Sequence, residues 1–240
     1  MKPQRYLAVA GLGSRRACEA LIKAGRVTRN GEQLTFNQDI GEGDDVRVDG
    51  APVRAPSAPV YVALHKPAGL ISDRGARGAR SALDLVPGEA RLFPVGRLDI
   101  DATGLLLLTN DGELALTLTH PRYEHDKEYR VLVDGVPGAR ALAHWRKGII
   151  LEGEERPTAP AKVEVLPEQR EAGATWLSVT LHEGRKRQIK RVAKAVGHPV
   201  RRLIRVRIGP LKLGDLEPGK WRALAKDEID ALLNASKGRA

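Results

Sequence analysis

The chain has little with which to cross-link, stack or cross a bilayer. Cys18 is the only cysteine among 240 residues, so an internal disulfide is excluded and a reducing compartment, the cytoplasm, is expected. Aromatic residues make up 4% of the chain. That is too little for a broad platform on which single-stranded bases stack, though one ring could still hold one base. No apolar run approaches the ~18 residues of a membrane span, and the opening MKPQRYLAVAGLGSRR lacks the apolar core of a signal peptide. No membrane partner is expected. His65, His120, His125, His144, His182 and His198 are scattered without ligand spacing, so no metal site is expected. The sequence contains neither a G-x-x-x-x-G-K-[ST] loop nor a G-x-G-x-x-G after a strand, which sets aside P-loop hydrolysis and a Rossmann dinucleotide site. An enzyme of this composition is expected to work without a cofactor.

What the chain does have is positive charge. Forty Lys and Arg face thirty Asp and Glu, for a net +10, a balance that favours an anionic polymer, nucleic acid ahead of a membrane surface. The charge is concentrated. Residues 185–212 hold eleven Lys or Arg and no Asp or Glu. In the helix expected over RKRQIKRVAKAVG, Arg187, Lys190, Arg191 and Lys194 fall on one face, with Ile189, Val192, Ala193 and Val196 on the other. Like charges at that spacing repel by a few tenths of a kcal/mol per pair, a cost that phosphates would relieve. In the following strand Arg205 and Arg207 alternate with Ile204, Val206 and Ile208, which predicts that both arginines share one side.

The first fifty residues read as a small unit. Ser14 is a candidate N-cap and Gly25 a stop for the helix RRACEALIKA. Cys18, Leu21 and Ile22 would face a core, leaving Arg15, Arg16, Lys23 and Arg26 for solvent or a phosphate backbone. Asn30-Gly31 signals a tight turn, and DDVRVDG a short strand. Residues 51–59, APVRAPSAP, read as a semi-stiff linker, or else as a long surface loop. From residue 60 onward strand follows strand: YVALHK, LLLLTNDG ending in a turn, EYRVLVDG, AKVEVL, TWLSVTLHE and LIRVRIG. That order predicts a mainly antiparallel, mixed-sheet α+β domain over 60–240 rather than repeated βαβ units.

The stretch VGRLDIDATGLLLLTNDG sets two carboxylates, Asp99 and Asp101, against the start of the most apolar run. In extended chain they would share a face. Three readings follow from the residues alone: a pair of metal ligands, a loop end whose aspartates bond to backbone N–H groups, or a catalytic carboxylate at the edge of a rigid strand, facing a cation.

GRLDIDATGLLLLTNDG resembles the signature of the RsuA family of bacterial ribosomal RNA pseudouridine synthases. ALHKPAGLISD, KEYRV and EGRKRQIKRVAKAVGHPVRRLIRVRIGPLKLGDLEPGKWRAL resemble three further motifs of that family in order, and GLGSRRACEALIKAGRVTRNG within residues 4–50 resembles an S4-type RNA-binding domain, an α/β unit. The resemblance implies a cofactor-free isomerase that turns a uridine of ribosomal RNA into pseudouridine. It is nearest to members acting on the 23S RNA of the large subunit, partly through RPTAPAKVEVL. It implies that Asp99 is catalytic, that Tyr129 stacks on the target uracil and that Lys190 is the basic partner of Asp99. Leucines 105–108 would then anchor the strand beside Asp99. RNA contacts are expected from Arg15, Arg16, Lys23 and Arg26 in the small unit and from Lys66, Arg97, Arg185, Lys186, Arg187, Arg191 and Lys194 in the larger. The expected partner is ribosomal RNA, naked or in an assembly intermediate, and the expected state a monomer. Competing readings are the same reaction on 16S RNA, a non-catalytic ribosome-assembly protein, and a metal-dependent nuclease using Asp99 and Asp101.

Overall fold

A computed structural model describes residues 1–53, 58–74, 78–88, 91–120, 123 and 125–237. The chain divides into two compact units, Met1–Val60 with Gly88–Leu92, and Tyr61–Pro87 with Phe93–Ala240.

The smaller unit holds helices α1 (Pro3–Val9) and α2 (Arg15–Lys23) and the short strands β1 (Val27–Arg29), β2 (Glu32–Gln33), β3 (Val46–Val48) and β4 (Ala51–Pro52). The strands lie in the order β2-β1-β3-β4. Helix α2 starts where Ser14 Oγ accepts the Ala17 N–H at 3.2 Å, satisfying a donor the helix cannot pair internally. It ends before Gly25, whose φ of +69° suits a residue without Cβ. Cys18 and Ile22 are buried with Leu7, Val27, Leu34 and Val46. Asn30 and Gly31, at φ +52° and +86°, form the two-residue turn between β1 and β2, as mirror-image hairpin turns require. The expected linker begins differently. Ala51 and Pro52 pair with Val48 and Arg47 as the edge strand of the sheet, a place where proline's missing N–H is tolerated. Residues 54–57 of that expected linker lie outside the described residues.

The larger unit is a mixed sheet of β5 (Tyr61–Lys66), β6 (Phe93–Pro94), β7 (Thr103–Thr109), β8 (Lys127–Asp134), β9 (Lys162–Glu171), β10 (Ala174–Leu181), β11 (Val200–Ile208), β12 (Leu211–Lys212) and β13 (Trp221–Ala223), with helices α3 (Gly112–Thr119), α4 (Ala139–Lys147), α5 (Gln188–Ala195) and α6 (Lys226–Lys237). The order is β13-β5-β7-β11-β8-β10-β9, with β12 beside β11 and β6 beside β7. Strands β7 and β11 run parallel; the other pairs are antiparallel, so the unit is α+β as the strand succession predicts. All four leucines 105–108 of β7 are 0% exposed. Truncating any of them to alanine would cost about 2–5 kcal/mol. At Gly104, φ +106°, a Cβ would collide with the backbone of Arg205, so only glycine lets β7 and β11 close.

Three features depart from the expectations. The end of the leucine run is not a simple turn: Asp111 Oδ1 accepts the N–H groups of Glu113 and Leu114 and caps α3. Helix α5 starts at Gln188 rather than three residues earlier. Arg187 lies just outside it in the left-handed region, φ +52°, while Gln188 Oε1 accepts the Arg185 N–H. Finally, β11 carries a bulge. Arg205 stands opposite Tyr129 and Arg207 opposite Glu128, so Val206 is an extra residue and the two arginines point to opposite faces. Arg207 Nε donates to Glu128 Oε2 at 2.9 Å, on the side away from Tyr129.

Candidate active site

Residues 99–102 form a tight turn rather than extended chain, closed by the Ala102 N–H donating to Asp99 O at 3.1 Å. The two aspartates therefore do not share a strand face. The Asp99 side chain is 31% exposed and that of Asp101 66%. The turn is held from the segment after β5. Ser72 Oγ accepts the Leu98 N–H and donates to Leu98 O, both at 2.8 Å. The Gly69 N–H donates to Ile100 O at 2.7 Å. Lys66 Nζ donates to Pro67 O at 2.9 Å, Ile100 O at 3.3 Å and Ala102 O at 2.8 Å. Lys66 is 0% exposed, so it is not an RNA contact; its ammonium is a clamp on the turn. Burial pulls its pKa down to about 8 although Asp101 and Asp99 act in the opposite sense.

Above this turn opens a cleft of about 800 Å³, lined by Asp99, Tyr129 and Lys190 together with Arg97, Lys186 and Arg187. Tyr129 reaches it from β8, where Val131 and Val133 on the same face are buried in the core that also takes Ile189 and Val192 of α5. Helix α5 thus lies over the sheet with Lys190 toward the turn. Lys190 Nζ is 4.0 Å from Asp99 Oδ2 and hydrogen-bonds both carboxylate oxygens of Asp101. The ammonium faces both carboxylates but its close partner is Asp101, whose carboxyl it holds below the usual range. An ammonium in that position leaves poor room for a metal shared by the two aspartates.

Two further expected RNA contacts are engaged elsewhere. Arg185 donates to Glu154, to Glu183 Oε2 at 3.2 Å and to Arg156 O at 2.9 Å. Arg191 donates to Glu154 and to Glu152 O at 2.6 Å. Both arginines tie α5 to the 152–157 segment, and together they hold the Glu154 carboxyl below its usual range. Of the basic helix face, Arg191 is neutralised by this distant stretch of chain and Lys190 by Asp101, pairings that periodicity cannot reveal. Lys186, Arg187 and Lys194 remain exposed, as does Arg97. In the smaller unit Arg15, Arg16 and Lys23 are exposed on α2, and Arg26 Nε donates to Asp49 Oδ1 at 2.8 Å. Ser72, Lys127 and Arg205 also line the cleft and were not expected there. Lys127 could have been found, since it stands two residues before Tyr129 on the same strand face.

A flat aromatic ring, a carboxylate on a clamped turn and a rim of cations can take a base out of an anionic chain and act on it as nucleophile or base. Residues 60–195 match the family model described as RNA pseudouridylate synthase, and residues 4–46 that of the S4 domain. The chain belongs to the RNA pseudouridylate synthase family. It is 41% identical over 234 residues to ribosomal large subunit pseudouridine synthase B of Bacillus subtilis, an alignment covering 95% of this chain and 94% of that one. It is 42% identical over 239 residues to an uncharacterized RNA pseudouridine synthase of Aquifex aeolicus, covering 96% and 93%. A crystal structure of a pseudouridylate synthase superimposes with a TM-score of 0.70 at 30% identity, covering 97% of this chain and 99% of that one. As an RNA pseudouridylate synthase the protein is an isomerase, and the cleft of the larger unit is its candidate active site. Among the described residues no helix is long and apolar enough to cross a membrane.

Proposed function

We propose that this enzyme converts one uridine of large-subunit (23S) ribosomal RNA to pseudouridine, with Asp99 as the catalytic carboxylate and no cofactor. The observation that carries the reading is the convergence of Asp99, Tyr129 and Lys190 on one cleft, with Asp99 on a turn clamped by Ser72 and Lys66. The target uridine leaves its stack at a cost of a few kcal/mol, and Tyr129 replaces the lost stacking. Arg97, Lys186 and Arg187 hold the flanking backbone, positioning it without reading sequence. Asp99 then attacks C1′ or C6, or takes the C2′ proton. Lys190 holds Asp101 directly and faces Asp99 across 4.0 Å, so it orders both carboxylates. The assignment to the large subunit is supported by the likeness to the Bacillus subtilis large-subunit enzyme.

The test is pseudouridine mapping of ribosomal RNA from cells lacking the protein, complemented by the wild-type chain or by Asp99→Asn. One 23S position should lose pseudouridine, regain it with the wild type and not with Asp99→Asn, while the variant still binds RNA. A missing site in 16S RNA would overturn the subunit assignment. An active Asp99→Asn variant would overturn the catalytic one.

A further inference from the structure

The cleft holds two cations that the reading above does not use. Arg205 is 2% exposed. Its Nε donates to Leu105 O at 2.8 Å and its Nη1 to Arg97 O at 3.3 Å, which leaves Nη2 buried without a hydrogen-bond partner. Lys127 donates to His125 O at 3.1 Å. Neither cation forms an ion pair among the described residues. Both line the cleft with Asp99 and Tyr129. Arg205 is the cross-strand neighbour of Tyr129, and Lys127 lies two residues before it on the same face. A buried guanidinium with a spare donor is costly to desolvate, and a second cation beside it adds repulsion. Burial, and then the Arg205 charge, pull the Lys127 pKa down. Nearly every other strong cation described at the cleft either points to solvent or meets a carboxylate. Arg205 meets neither and the half-buried Lys127 forms no ion pair with a described carboxylate, and a fold keeps such a pair where negative charge arrives.

The reaction supplies that charge, on the base itself. When the N1–C1′ bond breaks, its electron pair leaves with the base, and the uracil anion carries it on N1, O2 and O4. If Asp99 attacks C1′, an Asp99–C1′ ester forms as that bond breaks. If Asp99 takes the C2′ proton, a C1′–C2′ double bond forms instead. Attack at C6 pushes a pair toward O4. Afterwards C5 bonds to C1′, any bond or proton held by Asp99 is returned, the C5 proton leaves and N1 is protonated. Every route places negative charge on the ring that lies against Tyr129. We propose that Arg205, through Nη2, and Lys127 stabilise the uracil anion by binding its carbonyl oxygens, an electrostatic floor opposite the attacking carboxylate. Such a site works because its donors are already oriented and dry before the charge develops.

This inference rests on the uridine-isomerising reading, and the test separates the two. The target position is first mapped as described above; if none is found, that reading fails and takes this one with it, whereas a mapped target with no substrate-dependent defect overturns this one alone. The full-length chain is then given a synthetic stem-loop carrying the target as uridine or as 5-fluorouridine, and single-turnover loss of the target nucleoside is followed. Fluorine at C5 stabilises the base anion on its own. It blocks the final proton loss from C5 but not cleavage of the N1–C1′ bond. Arg205→Met is expected to slow the uridine substrate about 100-fold, the scale of losing one oriented donor to a developing anion, and the fluorinated one about tenfold or less, with RNA binding within a few-fold of wild type. Arg205→Lys should fall between, and Lys127→Met should show the same narrowing at smaller amplitude. Equal slowing on both substrates, or weakened binding with an unchanged rate at saturating RNA, overturns the proposal. Should Arg205→Met fail to fold by circular dichroism, Lys127→Met decides alone: a narrowed defect supports the floor, and an unchanged or equal one removes it.

Discussion

The cations of the two units are deployed in opposite ways. On α2 of the smaller unit, Arg15, Arg16 and Lys23 point into solvent, and a phosphate can approach any of them. Around the cleft of the larger unit, Lys66 and Arg205 are buried and Arg185 and Arg191 are bound to Glu154. In sequence all seven are simply basic residues. The difference teaches that net charge overstates the RNA-facing surface of the larger unit. Much of its positive charge builds the site, and only part of it faces the polymer. Exposed cations act through long-range, salt-screened attraction. Buried ones act through where their donors point, so their loss should appear in catalysis or stability rather than in affinity.

The sharpest way to break this comparison is Lys66→Met, which keeps the length of the side chain and removes the clamp. Pro67 O, Ile100 O and Ala102 O lose their shared donor, at about 1–3 kcal/mol for a buried acceptor left unsatisfied, offset in part by relief of the buried charge. Misplacing Asp99 by an ångström should lower kcat about 100-fold, with KM nearly unchanged. Protonation gives a second signature. With the folded pKa pulled down to about 8 from 10.5, the unfolded chain binds more protons between those values, so this group makes the protein more stable as pH rises through that window. Activity should move the other way, falling above about pH 8 as the clamp loses its charge. Thermal melts and kcat measured from pH 7 to 10 should show both trends in the wild type and both weakened in Lys66→Met, where of the described lysines only Lys127 still carries a lowered pKa. An exposed, RNA-contacting lysine would instead raise KM and leave the melting profile flat.

What could be read from the sequence follows the range of each interaction. The strands were visible because one-sided burial imposes a period of two, as in Leu177, Val179 and Leu181 of β10. The leucine run was visible because β7 is buried on both faces. Helix α3 was not, because GELALTLT buries Leu114, Ala115 and Leu118 yet exposes Leu116, which blurs the helical period. The bulge at Val206 was invisible too, since it exists only in pairing with β8. Motif resemblance singled out Asp99, Tyr129 and Lys190, which the fold brings to one cleft. No local pattern could say that Lys190 lies closer to Asp101, that Lys66 is buried, or that Glu154 reaches across to Arg185 and Arg191. Each of these is a tertiary pairing between residues at least thirty positions apart or a burial set by other strands.

A milder probe inverts the comparison instead of breaking it. Glu154→Gln removes the carboxylate shared by Arg185 and Arg191, leaving Arg191 with the Glu152 carbonyl alone and Arg185 with Glu183 and backbone carbonyls, so both are freer to meet a phosphate. Affinity for non-target RNA should rise, and the dependence of log K on log salt should steepen by roughly 0.7–0.9 for each arginine that gains a phosphate. At the same time kcat should fall several-fold, because the segment that seats α5, and with it Lys190, is no longer tied down. Salt-titrated binding to unrelated RNA, beside single-turnover rates, separates the two effects. Unchanged non-target binding would mean that the arginines find other internal partners and that Glu154 is not what keeps them from RNA.

The smallest effects belong to α2. Arg15→Ala, Arg16→Ala and Lys23→Ala remove side chains from an exposed face and leave the Ser14 cap and the buried Cys18 and Ile22 untouched, so the unit should remain folded. Each loss should weaken binding to the target RNA a few-fold at low salt and lower the salt slope by roughly 0.7–0.9, the value for one phosphate contact. The three should combine nearly additively if each meets its own phosphate. The rate at saturating RNA should stay at the wild-type value, because none of these groups lines the cleft of the larger unit. That separation of KM from kcat is what divides the two kinds of cation: if an α2 variant slowed the single-turnover rate at saturation, the smaller unit would be positioning the target and not merely holding the polymer.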